Sequence, residues 1–206
     1  NDGESLVEED NWCAALEYAD SLGVDILTSS LGYYNFDDAA TSHKYHELDG
    51  RTAVNSRAAS LAASRGILVL NSAGNSGNDP WKKIGFPADA HDIITVGALT
   101  PDLKNANFSS LGNTADGRIK PDVMALGQTA WMLDETGSIT VANGTSFSTP
   151  ILCGGVACLL QACPEARPEE IIRAVQQAGD NAAHPDNVYG YGVPNLWKAY
   201  QALKKK

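Results

Sequence analysis

The chain has 206 residues, 43% hydrophobic and 19% charged, an ordinary globular composition with enough length to bury one α/β core. A formal net charge of −10 at pH 7 argues against nucleic-acid binding, because a phosphate backbone calls for an excess of Lys and Arg, and the one basic cluster is the terminal Lys204, Lys205 and Lys206. No leader pattern and no apolar run long enough to span a membrane is expected, and a start at Asn1, with methionine only at Met124 and Met132, reads as a piece of a longer precursor.

Ser5-Leu6-Val7-Glu8 has capping-box form, and Trp12, Ala15, Leu16, Ala19 and Leu22 then recur at helical spacing until Gly23. A strand is predicted over Val24–Ser29, followed by a polar loop from Tyr33 to Gly50. Thr52 to Arg65 reads as a helix and Ile67–Leu70 as a buried strand. Ile93–Gly97, Asp122–Ala125 and Ile139–Val141 are further strands. Ser146 to Cys163 is apolar nearly all the way round, which predicts a core helix, with Pro150 expected in its first turn. Pro168-Glu169-Glu170 opens an amphipathic helix to about Ala178. Strands alternating with helices predict an α/β fold with a mostly parallel sheet.

The cysteines Cys13, Cys153, Cys158 and Cys163 have neither disulfide-framework nor zinc-ligand spacing and are expected to be small buried residues. Of the four histidines, His43 and His46 fall in the polar loop and are expected at the surface, His91 in a turn before the third strand and His184 in a loop before Pro185. No metal site is predicted.

Ligands of a parallel sheet gather beyond its carboxyl edge, where three segments are expected to meet. They are Ser29-Ser30-Leu31-Gly32, Asn71-Ser72-Ala73-Gly74-Asn75-Ser76-Gly77-Asn78 and Asn143-Gly144-Thr145-Ser146. Ser146 would stand at a helix N-terminus, where free N–H groups and the dipole favour negative charge, and Asn75 offers an amide donor. A hydroxyl, its own N–H and an Asn amide suit the tetrahedral intermediate of acyl transfer.

Gly144-Thr145-Ser146-Phe147-Ser148-Thr149-Pro150 resembles the nucleophile motif of the subtilisin-like serine proteases. Ser30-Leu31-Gly32, Ala73-Gly74-Asn75, Gly85-Phe86-Pro87, Thr95-Val96-Gly97-Ala98, Phe108-Ser109-Ser110, Lys120-Pro121-Asp122-Val123 and Gly190-Tyr191-Gly192 are similar to further family motifs, in family order and over nearly the whole chain. The resemblance implies a subtilisin-like fold with a central helix starting at the nucleophile Ser146, and Asn75 as the oxyanion-hole side chain. It also implies substrate contacts at Ser30, Leu31, Gly32, Ala73, Gly74 and Gly85, with Gly85 leaving room for a large apolar residue before the scissile bond, and a cis Phe86–Pro87 peptide. The substrate class would be a peptide or protein and the location extracytoplasmic, secreted or cell-surface. No cofactor is implied; calcium is common in the family, but no acidic loop here is assigned to it. Ile151 after Pro150 and Leu126 before Gly127 depart from the family pattern without touching the reacting atoms.

The family's triad Asp and His motifs are missing: Asp2-Gly3 has no strand before it, and no histidine stands in a His-Gly-Thr context. Residues 1–206 therefore read as a single partial peptidase domain, the C-terminal portion of a catalytic domain, inactive by itself. A missing N-terminal part of the same protein would pair near Val24–Ser29, and an unpaired edge there would favour a homodimer. The alternative is a non-catalytic pseudo-protease acting as a peptide-binding module. A nucleotide-binding domain is disfavoured, because the Gly-rich segments carry neither a phosphate-loop lysine nor a G-x-G-x-x-G after a strand.

Overall fold

The computed structural model describes residues 3–205. Four parallel strands, β1 (Ile26–Ser29), β2 (Leu68–Ser72), β3 (Ile94–Leu99) and β4 (Val123–Leu126), lie side by side in chain order. The α/β architecture is the one the sequence predicts, with strand bounds shifted by a residue or two. Every residue of β2 and β3 is buried, which requires cover on both faces of the sheet. Alternation along β2 divides the core: Val69 packs with α1 (Val7–Ser21) and α2 (Val54–Ser64) through Trp12, Leu16, Ala59 and Ala62. Leu68 and Leu70 face the opposite layer of α3 (Thr145–Ala162), α4 (Pro168–Gln177) and α5 (Leu196–Lys204), through Leu152, Val156, Ile171 and Val175.

Several local expectations are revised. Helix α1 begins after Leu6 with no side-chain cap, so the Ser5–Glu8 box does not form. The segment around Ile139 is not part of the main sheet: β6 (Ile139–Ala142) pairs antiparallel with β5 (Ala130–Leu133), a strand the periodicity did not indicate. Helix α5 was also unanticipated, although Asn195 signals its start by accepting from the Lys198 N–H at 3.0 Å. The loop after Tyr33 is packed rather than loose, with Tyr33, Phe36 and Leu48 buried and a 3-10 turn at Tyr45–Glu47. His43 lies inside that packing, its side chain only 9% exposed, because Glu9 and Glu47 supply partners that let a polar ring be buried.

Helix α3 is the largest revision. Its 18 residues, with a mean hydropathy of 1.3, are long and apolar enough by length and composition to cross a membrane, yet only a third of them are buried. Leu152, Val156 and Leu159 pack on the sheet, whereas Ile151 is 49% exposed and Gly154, Ala157 and Cys158 also face outward. The cysteines consequently differ: Cys163 is buried, Cys13 and Cys153 are half-buried and Cys158 is exposed. The same side of the molecule carries the free edge of β1, against which no strand pairs among the described residues.

The opposite edge is closed. Tyr191 N–H donates to the Asp122 carbonyl at 2.8 Å and Met124 N–H to the Gly192 carbonyl at 3.0 Å. A side chain at Gly190, where φ is 56°, would run into the Pro121 carbonyl, so this approach needs glycine. Beside it lies a buried ion pair, Lys120 Nζ to Asp122 Oδ2 at 2.6 Å. Asp122 also accepts from Thr95 N–H (2.7 Å) and from the Gln176 amide (2.9 Å), joining β3, β4 and α4 through one carboxylate. Removing that carboxylate strands a buried ammonium and two donors. Asp122→Ala is therefore expected to destabilise the fold by about 3–5 kcal/mol, read from the urea midpoint.

Candidate active site

The registers Ser29↔Asn71 and Asn71↔Thr95 end β1 and β2 at one level, so the segments that follow them emerge together at the carboxyl edge. Asn71 Nδ2 donates to the Leu31 carbonyl at 3.2 Å and ties the two segments. The turn into α3 is sewn to the β4–β5 connection: Gly144 N–H donates to the Gly127 carbonyl (2.8 Å) and Thr129 N–H to Asn143 Oδ1 (2.7 Å). Gly144 has φ 150° and ψ 154°, a conformation that favours glycine, and places Thr145 and Ser146 in the first turn of α3.

Asn75 is held by Thr145, a residue the sequence reading did not single out although it lies inside the same motif. The Thr145 N–H (2.9 Å) and hydroxyl (3.0 Å) both donate to Asn75 Oδ1, and the Thr145 hydroxyl accepts from Gly74 N–H at 3.2 Å. A backbone N–H can only donate, so the amide oxygen must face Thr145, and Nδ2 is left without an intramolecular partner among the described residues. Gly74, at φ 106°, lets the loop turn; a Cβ there would come within 2.9 Å of Ser110 Oγ. Both serines of Phe108-Ser109-Ser110 are buried and take backbone donors, Ser109 Oγ from Ala98 N–H and Ser110 Oγ from Ser76 N–H, each at 3.0 Å.

Ser146 Oγ lies 3.4 Å from the Ser30 carbonyl, and its N–H is one of the unpaired donors at the start of an 18-residue helix. Pro150 is the sixth residue of α3, not in its first turn as expected, so its missing N–H orphans the Ser146 carbonyl. Ser30 Oγ fills that vacancy by donating at 3.0 Å, which joins the end of β1 to the first turn of α3. A cleft of about 160 Å³ gathers Ser30, Gly32, Gly74, Asn75, Gly85 and Ser146, and adds Tyr34, Ser72, Ser76, Ser110 and Thr145 to its lining.

Two of the expected residues stand apart from the cleft wall. Ala73 is fully buried, and its N–H and carbonyl bond Val96 and Gly85. The Leu31 side chain is 54% exposed. Gly32 is exposed, and neither its N–H nor its carbonyl has a partner among the described residues, as an edge open to an added strand requires. Phe86–Pro87 is cis, as the resemblance implies. No histidine is brought to Ser146 by a described hydrogen bond: those of His43 go to Glu9 and Glu47, and that of His91 to the Asp49 carbonyl.

A parallel sheet with a serine-headed helix at its carboxyl edge and an Asn amide beside it describes the scaffold of a serine hydrolase. Residues 2–192 match the profile of the subtilase family, and the chain belongs to that family of serine proteases. It is 31% identical over 215 residues to the serine protease AprX of Bacillus subtilis (strain 168), covering 92% of this chain and 46% of that protein. It is 29% identical over 189 residues to subtilisin DY of Bacillus licheniformis, covering 91% of this chain and 61% of that protein. The chain thus spans about half the length of these relatives. In fold it is similar to the self-cleaved protease domain of PatA, with a TM-score of 0.76 at 24% identity, over 96% of this chain and 68% of that one.

The coupling of Pro150 to Ser30 can be measured. Ser30→Ala is expected to cost about 0.5–1.5 kcal/mol of stability by removing the Ser146 carbonyl's donor. In a Pro150→Ala background, where residue 150 regains an N–H, that cost should shrink; an unchanged cost in the double-mutant cycle would disprove the coupling.

Proposed function

We propose that Ser146 is the nucleophile of a serine endopeptidase whose base and acid come from polypeptide outside these 206 residues. The observation that carries this reading is a pair of unsatisfied donors, Ser146 N–H and Asn75 Nδ2, on the cleft that holds the Ser146 hydroxyl. In this mechanism the base takes the Ser146 proton as Oγ attacks the peptide carbonyl carbon. The two donors meet the negative charge that develops on the carbonyl oxygen, where preorganised hydrogen bonds contribute most. The protonated base returns its proton to the departing amine, leaving an acyl-enzyme, and water attacks the ester to regenerate Ser146.

Substrate binds as an extra strand through the free N–H and carbonyl of Gly32, with the residue before the scissile bond in the cleft floored by Gly85. The free β1 edge and the outward face of α3 take the polypeptide that brings the base and acid; a second copy of this chain is the substitute when that polypeptide is absent. The same reading puts the protein outside the cytoplasm, and family membership is what supports that location. A peptide-binding pseudo-protease is the second reading, favoured by the lack of any described histidine bond to Ser146; a longer protein without a histidine and an acid placed for Ser146 would establish it.

The 206-residue chain alone is expected to react with a fluorophosphonate at Ser146 far more slowly than a complete protease, and labelling at protease rates by mass spectrometry would refute the need for an outside base. In a complete protein, Asn75→Ala should lower kcat by about 10²–10³ with smaller change in KM, a magnitude taken from mutagenesis of a member of this same family. Sedimentation of the chain alone should show concentration-dependent association; a monomer with the β1 edge solvated would count against the docking edge.

A further inference from the structure

Beside the segment carrying Gly32 lies a charged cluster, largely buried, that the proposed chemistry does not use. His43 Nε2 lies 2.7 Å from Glu9 Oε1 and its Nδ1 3.3 Å from Glu47 Oε2. Glu9, in the first turn of α1, is 1% exposed. Glu47 Oε2 is itself fixed by the Lys44 N–H at 2.6 Å. Ionised carboxylates only accept, so a ring that satisfies both must carry a proton on each nitrogen. The imidazolium then cancels part of a buried negative charge that would otherwise be costly. The other sides of the ring are closed by aromatics, with Phe86 at 4.2 Å and Phe36 at 5.8 Å between centroids. The facing charged groups are Glu9 from α1 and Glu47 from the 3-10 turn, with His46 acting on Glu47 from the same turn.

His43 touches both halves of the substrate edge. Its backbone N–H donates to the Tyr34 carbonyl at 2.9 Å, and its ring rests on Phe86. Tyr33 and Phe86 exchange both backbone hydrogen bonds at 2.9 Å, and Gly32 and Gly85 of the cleft directly precede them. We propose that His43 is the positioning residue of the substrate edge, clamping α1, the 3-10 turn and the Tyr33–Phe86 bridge together only while its ring carries both protons. Once one proton leaves, one carboxylate faces a lone pair, and the clamp loosens at the edge before the sheet is affected. The word substrate here rests on the protease reading; the clamp itself does not.

Burial alone would lower the His43 pKa, but its hydrogen bonds and charge interactions with Glu9 and Glu47 outweigh that and raise it above the ordinary value. A raised folded value means that the clamp's contribution is complete below the unfolded histidine value and is lost as pH rises through the folded one. Asp89, which burial pushes up to about 6, titrates separately through Ser56 and Gly50, and its effect cancels when variants are compared at one pH.

The test uses the full chain. Proton NMR titration of the His43 ring and exchange of the hydrogen-bonded amides of Tyr33, residue 43 and Phe86 are measured together across pH, with intrinsic exchange rates divided out. The expected result is a His43 midpoint above about 6.5 and a tenfold fall in edge protection per pH unit between the free and folded midpoints, with β2 and β3 protection unchanged. Glu47→Gln, at a partly exposed position, should move the ring midpoint and the edge transition down together. His43→Gln should leave edge protection low and flat with pH. An ordinary His43 midpoint, a pH-flat edge in the parent chain, or loss of edge and core protection in unison would each overturn the proposal. All of these outcomes are independent of whether Ser146 is ever activated.

Discussion

One oxygen atom organises the site. Asn75 Oδ1 takes both the N–H and the hydroxyl of Thr145, and this joins the loop after β2 to the start of α3. Because both partners donate, the Asn75 amide can point only one way, with its NH₂ toward the cleft. The orientation of the donor is thus set by the fold itself, and in the proposed mechanism it needs no reorganisation when charge develops. Gly74 and Gly144 let the two backbones approach, and the bonds of Gly144 and Asn143 to the β4–β5 connection hold the turn from the other side.

A second dependency runs through Pro150. A proline inside a helix ordinarily costs a hydrogen bond, and here the orphaned carbonyl belongs to the proposed nucleophile. Ser30 Oγ takes over as donor, so the segment after β1 and the first turn of α3 share one contact. The buried Glu9–His43–Glu47 cluster supports the same edge from beneath. The carboxyl edge therefore rests on polar contacts reaching in from α1, α3 and the 33–50 loop, while the apolar layers on either side of the sheet supply the bulk of the core.

Motif reading located the ends of β1 and β2 and the head of α3 because each carries a local signature: small polar residues after an apolar run, or glycine where the backbone must turn. Of the residues named in advance, Ser30, Gly32, Gly74, Asn75, Gly85 and Ser146 come together in one cleft. The motif contains Thr145 but does not reveal its role, because that role depends on an acceptor 70 positions away. His43 was misplaced for the same reason: a histidine in a polar stretch looks solvated until Glu9, 34 positions earlier, is brought to it. Strand β5 has no alternation of its own to announce it and exists through its pairing with β6.

The sequence by itself determined the class of fold, the order of β1–β4 and α1–α4, and the chemical identity of the serine and asparagine, since these follow from periodicity and short motifs. Tertiary structure alone decided which face of α3 is covered, which hydroxyl completes its broken hydrogen-bond ladder and where the buried charges find partners. Those outcomes depend on contacts between residues tens of positions apart, and hydrogen bonding and desolvation act on distance in space, which no local pattern encodes.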